Sequence, residues 1–410
     1  MLTPRIRLAV LAVLLAPLLR PAAAVAEDAP AYEAPPQAVA GDVLPATLMK
    51  GPHHTVRPKI GQDRLQHTYE VETDFGVYAV TSRRLVEIRA HEAEVLSRVT
   101  KMEGGSEFVR SLGKSLASIP TGAVELVLDP ADGFKKIGRG LSKTGLRVRD
   151  LITGGRTSNY EGSTGGNAFY GDEQRAMAAQ LGLDVYSTNP QVRTFLREIG
   201  SARAAGSLGV DLASLALPVV GFAAVTTAKW QADVTRLLRD KTPLELYRHN
   251  ARTLTELGIP RNRWEPFLRN PHLSPRHKTT ITRSLTEMAT VPGLAAVLAA
   301  ATQTRDEVGA LYHEQQAILL SHVHREGGGL TSLRNVRHVV LGLQPVGREV
   351  LFLPVDHVYW MEPLARLAEA LRPAPGARFP TRVHVRGRVT TRARAELEAR
   401  RFELVTDFAR

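Results

Sequence analysis

The adjacent residues Asp356 and His357 could perform chemistry together. They follow the apolar run Glu349–Leu353, which predicts a strand, and open α/β sheets often place ligand-binding groups at strand ends. A carboxylate beside an imidazole could support general acid–base catalysis. Neighbouring residues of an extended chain point to opposite faces, however, so Asp356 could instead cap the helix that carries Trp360. Asp356 and His357 are therefore candidate catalytic residues of a hydrolase, and structural roles stay open for both.

A cluster of basic residues near the carboxyl end forms a second candidate site. Five arginines lie between positions 382 and 394, and Thr390 can cap a helix that begins at Thr391. Arginine side chains and the N–H groups of a first helical turn both suit phosphate or carboxylate. The predicted anion-binding residues are Arg386, Arg388, Thr390 and Arg392. In the alternative interpretation, Arg394, Arg400 and Arg401 pair with the glutamates at positions 396, 398 and 403 on a solvated helix, and the basic segment only aids solubility.

Composition removes several classes of activity. The 410 residues include no cysteine, which excludes disulfides, Cys-based zinc sites, iron–sulfur clusters and thiol catalysis. The best cluster of possible metal ligands is His313-Glu314 with His322 and His324 on one predicted helix. His313 and His324 are about 16 Å apart at 1.5 Å per residue, too far for one coordination shell. We therefore expect no metal and no cofactor. The formal net charge is +12, and the segment 331–410 has 14 arginines against eight acidic residues.

The first residues predict export. Arg5 and Arg7 precede the apolar run Leu8–Leu19, and Ala24-Val25-Ala26 supplies the small residues that a signal peptidase requires. Residues 1–26 therefore predict a signal peptide cleaved after Ala26, and the mature protein is expected in the periplasm or secreted. In that compartment the expected partners are an anionic envelope lipid, a glycan or an acidic protein, and nucleic acid is not expected.

The remaining pattern predicts an α+β protein with a mainly helical body. Residues 27–60 are rich in proline and predict a linker or arm. Alternating apolar residues around Asp74-Phe75-Gly76 predict a β-hairpin at the start of a mainly helical domain over 61–330. Strands at 336–343, 349–353, 382–385 and 402–406 alternate with helices at 363–371 and 391–401, so residues 331–410 predict a small basic α/β module.

Two further segments allow more than one interpretation. Leu212–Ala228 is uncharged, but it contains Pro218 and Gly221 and is short for a membrane span, so a buried helix is expected and stable membrane insertion is not. A membrane-inserting protein is kept as a second alternative. Asp184–Pro190 predicts a junction between two helices, with a binding role for Asp184 and Tyr186 left open.

Two motifs resemble stretches shared by a group of exported bacterial proteins. The first runs from Gly171 to Pro190 and includes Leu181-Gly-Leu-Asp-Val-Tyr186; the second is Leu353-Pro-Val-Asp-His-Val-Tyr-Trp360. The resemblance implies export and a helical body with an α/β end, and it carries over no functional residue. The resulting hypothesis is an exported cell-envelope protein that works by interaction through a basic C-terminal module. The alternative is an envelope hydrolase with its site near Asp356 and His357.

Overall fold

In the computed structural model, which describes residues 31–100, 168–204, 225–373 and 375–406, the first large element is a five-stranded antiparallel sheet. The elements of this part are α1 (Ala40–Val43), α2 (Ala46–Met49), β1 (Lys50–Gly51), β2 (His54–Val56), β3 (Gly61–Asp63), β4 (Gln66–Thr73) and β5 (Gly76–Thr81). The long central strand β4 pairs with β2, β3 and β5, and β1 pairs with β2.

The proline-rich segment therefore does not form the expected linker or arm between residues 39 and 60. Its apolar residues Ala40, Leu44, Leu48 and Val56 are buried in a core with Tyr69 and other residues of the sheet. The prolines lie at the ends of short elements, where a missing N–H group costs little. Pro45, for example, directly precedes α2. Proline content alone could not distinguish a folded segment of short elements from a linker.

Helices make up the middle of the described chain. The longest of them, α11 (Glu307–Glu326), is buried along most of its length, so it forms the centre of this part. Its first turn is capped by Asp306, whose carboxylate accepts a hydrogen bond from the N–H group of Gly309. The helices are α3 (Arg83–Thr100), α4 (Ala168–Leu181), α5 (Pro190–Ala204), α6 (Ala228–Asp240), α7 (Pro243–Glu256), α8 (Arg261–Arg269), α9 (Pro275–Thr286), α10 (Ala295–Ala301) and α11 (Glu307–Glu326).

The last part contains a second five-stranded sheet of mixed direction. The elements of this part are β6 (Ser332–Val336), β7 (Val339–Leu343), β8 (Glu349–Leu353), β9 (His357–Val358), α12 (Glu362–Ala370), β10 (Thr381–Val385), β11 (Arg388–Val389), α13 (Thr391–Ala399) and β12 (Phe402–Thr406). The strand order in the sheet is β12-β10-β8-β7-β6, with β10 parallel to both β8 and β12 and the other pairs antiparallel. A separate parallel pair, β9 and β11, lies beyond the ends of β8 and β10.

The second sheet and the helices share one apolar core. Val340, Val350 and Phe352 on one face of the sheet are buried in the same cluster as Ile318 of α11. The other face packs against α12 and α13 through a second cluster that includes Leu351, Leu364 and Leu397. Successive residues of β8 therefore face opposite sides of the sheet, as strand geometry requires, and both sides are buried. The mixed helix and sheet content expected from the sequence is confirmed.

Two predicted segments fall outside this description. The signal peptide, residues 1–26, lies outside the described residues, as does all of Leu212–Ala228 before Val225. Among the residues that the structure describes, no helix is long and apolar enough to cross a membrane.

A buried histidine on α11 predicts acid sensitivity. Burial, assisted by the nearby His338, lowers the pKa of His313 from 6.5 to about 4. Because the folded pKa lies below the unfolded value, the stabilisation is complete above about pH 6.5 and is lost as the pH falls towards 4. We expect the urea midpoint of the wild type to fall between about pH 7 and about pH 4.5, and His313→Gln to flatten this dependence. His272→Gln, at an exposed position, is the control that should flatten it less.

Candidate functional site

The carboxylate of Asp356 joins three separate parts of the chain. It accepts hydrogen bonds from the N–H group of Arg83 (2.9 and 3.1 Å), from the N–H group of His67 (3.1 Å) and from the Tyr69 hydroxyl (3.2 Å). Arg83 is the first residue of α3, so Asp356 caps that helix together with the preceding residue, Ser82, which has a φ of 92° and whose hydroxyl accepts from the Leu85 N–H group (3.3 Å). The structure thus places Asp356 as a cap on α3 and not on the helix that follows it.

Removal from water dominates the electrostatics of this carboxylate. Burial raises the pKa of Asp356 from 3.8 to about 6, and the hydrogen bonds from His67 and Arg83 and the charge of Arg386 only partly oppose it. Burial together with the negative charge of Asp356 raises the pKa of Tyr69. Asp356 therefore has three donors and a structural role, and Tyr69 remains a neutral hydrogen-bond donor.

The His357 side chain contacts another histidine, and no hydrogen bond joins it to Asp356 among the described residues. Its ring lies edge-on to that of His67, with 5.4 Å between the ring centroids. Burial, the neighbouring His357 and Arg388 lower the pKa of His67 to about 4, and burial and Arg388 lower the pKa of His357. Both imidazoles are therefore neutral near pH 7. The His357 Nδ1 and His67 Nε2 atoms are buried and make no hydrogen bond among the described residues.

The predicted anion-binding residues are engaged in different contacts. Arg386 forms an ion pair with Glu87 (2.5 Å) and donates to the Gln315 side chain (3.0 Å). The Thr390 hydroxyl caps α13 by accepting from the Ala393 N–H group, and it donates to Glu33 (2.7 Å).

The other two predicted residues lie nearer the surface. Arg388 is exposed, and its side chain has no hydrogen-bond or ion-pair partner among the described residues; Arg392 is half-buried and makes contacts of its own. Two of the glutamate pairings weighed in the alternative are present, Arg394–Glu398 (3.6 Å) and Arg400–Glu396 (2.6 Å).

A cavity elsewhere in the molecule gathers more buried charge than either predicted site. It measures about 120 Å³ and lies among α3, α4, α6, α9, α11 and the loop that contains Asp184. One wall is apolar and includes Ile88, Val234 and Leu238. The exposed residue Arg239 also lines the cavity, so the cavity approaches the surface along α6.

The charged wall of the cavity is a chain of ion pairs. Arg276 Nη1 lies 3.3 Å from Asp184 Oδ2, and Arg276 Nη2 lies 3.2 Å from Glu314 Oε1. His277 Nε2 lies 3.4 Å from the other oxygen of Glu314. The Ser274 N–H group donates to His277 Nδ1 (3.2 Å), which places the proton of a neutral imidazole on Nε2, facing Glu314. Burial lowers the pKa of His277, so the neutral form is favoured.

Two polar groups that line this cavity make no hydrogen bond. Glu314 is only 1% exposed, and although Arg276 and His277 lie near it, neither carboxylate oxygen receives a hydrogen bond among the described residues. Trp230 is 5% exposed, and within the same described part of the chain its buried indole N–H group has no acceptor. Buried polar groups are normally hydrogen-bonded, since leaving one unsatisfied costs about 1–3 kcal/mol. The cavity therefore presents one acceptor and one donor that a small molecule could satisfy.

Sequence reasoning found only a part of this site. The open alternative of a binding role for Asp184 is the one signal that pointed to it, because Asp184 lines the cavity. Glu314 was considered only next to His313 in a possible metal cluster, and among the described residues no group of three or more potential ligands could hold a metal ion. Arg276 and Trp230 carried no signal, because charged and aromatic residues on amphipathic helices are usually on the surface or in the core.

Comparison with known proteins gives no family to which the chain could be assigned. No family model, no curated protein and no solved structure matches it.

Proposed function

We propose that this chain is an exported cell-envelope protein that acts by binding a small molecule and not by catalysis. The observation that supports the proposal is the cavity in which Glu314 and Trp230 are buried without hydrogen bonds. Apolar walls with a few polar groups are typical of small-molecule sites. A carboxylate in such a surrounding is costly for stability alone, and a bound ligand would offset that cost.

Recovery of the protein from its host tests both parts of this proposal. We expect its N-terminus to begin after Ala26, and native mass spectrometry of the gently purified protein to show a bound species that is lost on denaturation. An intact Met1 would contradict export. A protein that stays free of any bound molecule, even after incubation with an envelope extract, would contradict the binding function.

A hydrolase with its site near Asp356 and His357 is the second candidate. The observation that favours it is the pair of buried imidazole nitrogens on His67 and His357 that have no hydrogen-bond partner. Neutral imidazole is the form required of a general base. Because Asp356 is held by Arg83 and Tyr69, we assign the base role in this mechanism to His357 alone. Hydrolysis of any envelope ester, amide or glycoside that is lost in His357→Gln and retained in His384→Gln would establish it.

A further partner is proposed for the basic C-terminal module. Arg388 is exposed and lies opposite His357 in the parallel pairing of β9 and β11, so it could contact an anionic envelope lipid, a glycan or an acidic protein. We expect the full chain to sediment with phosphatidylglycerol vesicles more than with phosphatidylcholine vesicles at low salt.

In that assay, Arg388→Glu should weaken binding by about 5- to 30-fold, as expected when two charge units change at a surface. The control Arg366→Glu changes an exposed arginine of the same module that pairs with Glu362 (3.2 Å). Equal loss in both variants, or equal binding to both lipids, would contradict a site at Arg388.

A further inference from the structure

The cavity is lined by groups that specify the chemistry of an occupant. Glu314 is a carboxyl group that receives no hydrogen bond from the described residues, and Trp230 supplies an N–H donor with no acceptor among them. Apolar side chains, among them Ile88 and Val234, form a further part of the lining. Water would satisfy the two polar groups and leave the apolar wall wetted, whereas an amphiphilic molecule would satisfy all three parts of the lining.

We propose that the cavity binds a small primary amine that carries an apolar body and an oxygen acceptor. The ammonium group donates to Glu314, the oxygen accepts from the indole N–H group of Trp230, and the apolar body lies against Ile88 and Val234. The proposal deepens the binding function given above and rests on it. Amino acid amides, amino alcohols and the amino ends of short peptides belong to this class.

The charge of the surrounding residues favours an ammonium group over an anion. Arg276 and His277 are both within 3.4 Å of Glu314, but His277 has its Nδ1 occupied by Ser274 and is favoured as neutral. The other charged residues of the lining are paired with residues outside it: Arg84 with Glu87, Arg175 with Asp172, Arg239 with Asp240, and Glu92 with Arg89. Arg276 is shared with Asp184 (3.3 Å), so Asp184 and Glu314 face one permanent cation between them. An ammonium group therefore completes the charge balance, whereas an added carboxylate would make three.

The size of the cavity limits the ligand to a small molecule. A volume of about 120 Å³ is of the same order as the roughly 150 Å³ of a protein cavity that binds benzene. That excludes a folded partner, a nucleotide or a lipid chain as the buried group. The amino end of a longer molecule would still fit, because the cavity approaches the surface beside Arg239.

Calorimetric titration of the full chain with L-leucinamide tests the proposal. This probe has an ammonium group, a carbonyl oxygen and an apolar side chain. N-acetyl-L-leucinamide lacks the ammonium group, and isoamylamine lacks the oxygen acceptor. We expect L-leucinamide to bind, the acetylated compound to bind about 10- to 100-fold more weakly and isoamylamine about 2- to 10-fold more weakly, as for the loss of a charged and a neutral hydrogen bond.

Two conservative substitutions assign the contacts to their residues. Glu314→Gln should weaken binding of L-leucinamide by about 10- to 100-fold, and Trp230→Phe, which removes the indole N–H group and keeps an aromatic ring, by about 2- to 10-fold. The control for the first is Glu326→Gln, at an exposed position of the same helix α11. The control for the second is Trp264→Phe, because the Trp264 indole N–H group is also buried without an acceptor but does not line the cavity.

A spectroscopic readout separates binding from a loss of folding. L-leucinamide should change the tryptophan fluorescence of the wild type and of Trp264→Phe, and leave that of Trp230→Phe nearly unchanged. Circular dichroism of each variant shows whether it is folded. Equal binding of the acetylated compound, or unchanged affinity in a folded Glu314→Gln variant, would overturn the proposal.

Failure of this proposal is distinguishable from failure of the binding function. If native mass spectrometry finds a bound anion or a neutral molecule and L-leucinamide does not bind at about 10 mM, the ligand class is wrong and the binding function stands. If no molecule from an envelope extract binds and L-leucinamide does not bind either, both are wrong.

Discussion

Asp356→Ala is expected to lower the free energy of unfolding by about 3–5 kcal/mol, because it leaves several buried donors without an acceptor. Those donors are the N–H groups of Arg83 and His67 and the hydroxyl of Tyr69. Arg83 begins α3, so the substitution also removes one of the two caps of that helix and leaves only the Ser82 hydroxyl. Urea denaturation followed by circular dichroism measures the change.

Two further variants distinguish this role from a general effect of removing an aspartate. Asp74→Ala, in which the lost side chain is 56% exposed and forms an ion pair with His53, should change stability by less than about 1 kcal/mol. Asp356→Asn retains one acceptor oxygen and should be intermediate. If Asp356→Ala unfolds at the same urea concentration as Asp74→Ala, the assignment of Asp356 as the junction of three segments is wrong.

The pH dependence of the Asp356→Asn variant has a definite sign. The folded pKa of Asp356 is raised from 3.8 to about 6, so the folded protein binds the proton more tightly than the unfolded chain does. The wild type therefore gains stability from this group as the pH falls from about 6 towards 3.8, whereas asparagine gains none. We expect the difference in unfolding free energy between the wild type and Asp356→Asn to widen between about pH 7 and about pH 4.5.

The sequence placed Asp356 correctly after a strand but could not reveal its partners. Alternation and apolar runs depend on local residues, and they found β8 at 349–353 and β12 at 402–406 with the observed bounds. The donors to Asp356 lie more than 270 positions away, in β4 and at the start of α3. A contact of that kind depends on the packing of whole elements, and a local pattern carries no information on it.

One strand boundary was also not predicted, because the residues at the turn gave no local signal. The apolar run 336–343 predicts one strand, but the structure has β6 ending at Val336 and β7 beginning at Val339. Arg337 lies between them with a φ of 58°, a left-handed conformation that makes the reversal. Turns of this kind usually contain glycine or asparagine, and here arginine and histidine occupy the turn. The turn was missed because its residue types do not indicate one.

The cavity could not be predicted because its two walls obey different rules. Its apolar wall follows helical periodicity, as core residues do. Its charged wall contains Arg276, Glu314 and Asp184, at positions where periodicity predicts a buried apolar residue or a loop. Burial of each charge is tolerated only because the opposite charges lie beside it. Such a set appears in the sequence as isolated exceptions on three elements, and only their assembly shows that they belong together.

Gly387→Ala is expected to destabilise the protein by about 3–5 kcal/mol, as a forced separation of two packed segments would. A methyl group at this position would lie 1.9 Å from the carbonyl oxygen of Asp356 and 2.6 Å from that of Val355. The neighbouring Arg388 N–H group donates to the same Asp356 carbonyl (2.9 Å). Relief of the overlap would therefore break that bond and move Asp356 away from its three donors.

The control Gly376→Ala separates this close approach from the ordinary cost of replacing a glycine. Gly376 has a φ of +85° and no atom within 4 Å of an added methyl group, so only backbone strain of about 1–2 kcal/mol is expected. Because Gly387 and Asp356 act at one junction, the double variant Gly387→Ala/Asp356→Ala should lose less than the sum of the two single losses. Chemical denaturation of the wild type and of the four variants measures these losses. The prediction is wrong if the losses of unfolding free energy in the two single variants are strictly additive in the double variant. It is also wrong if Gly387→Ala lowers the unfolding free energy no more than Gly376→Ala does; either result would show that β9 and β11 do not hold Asp356 in place.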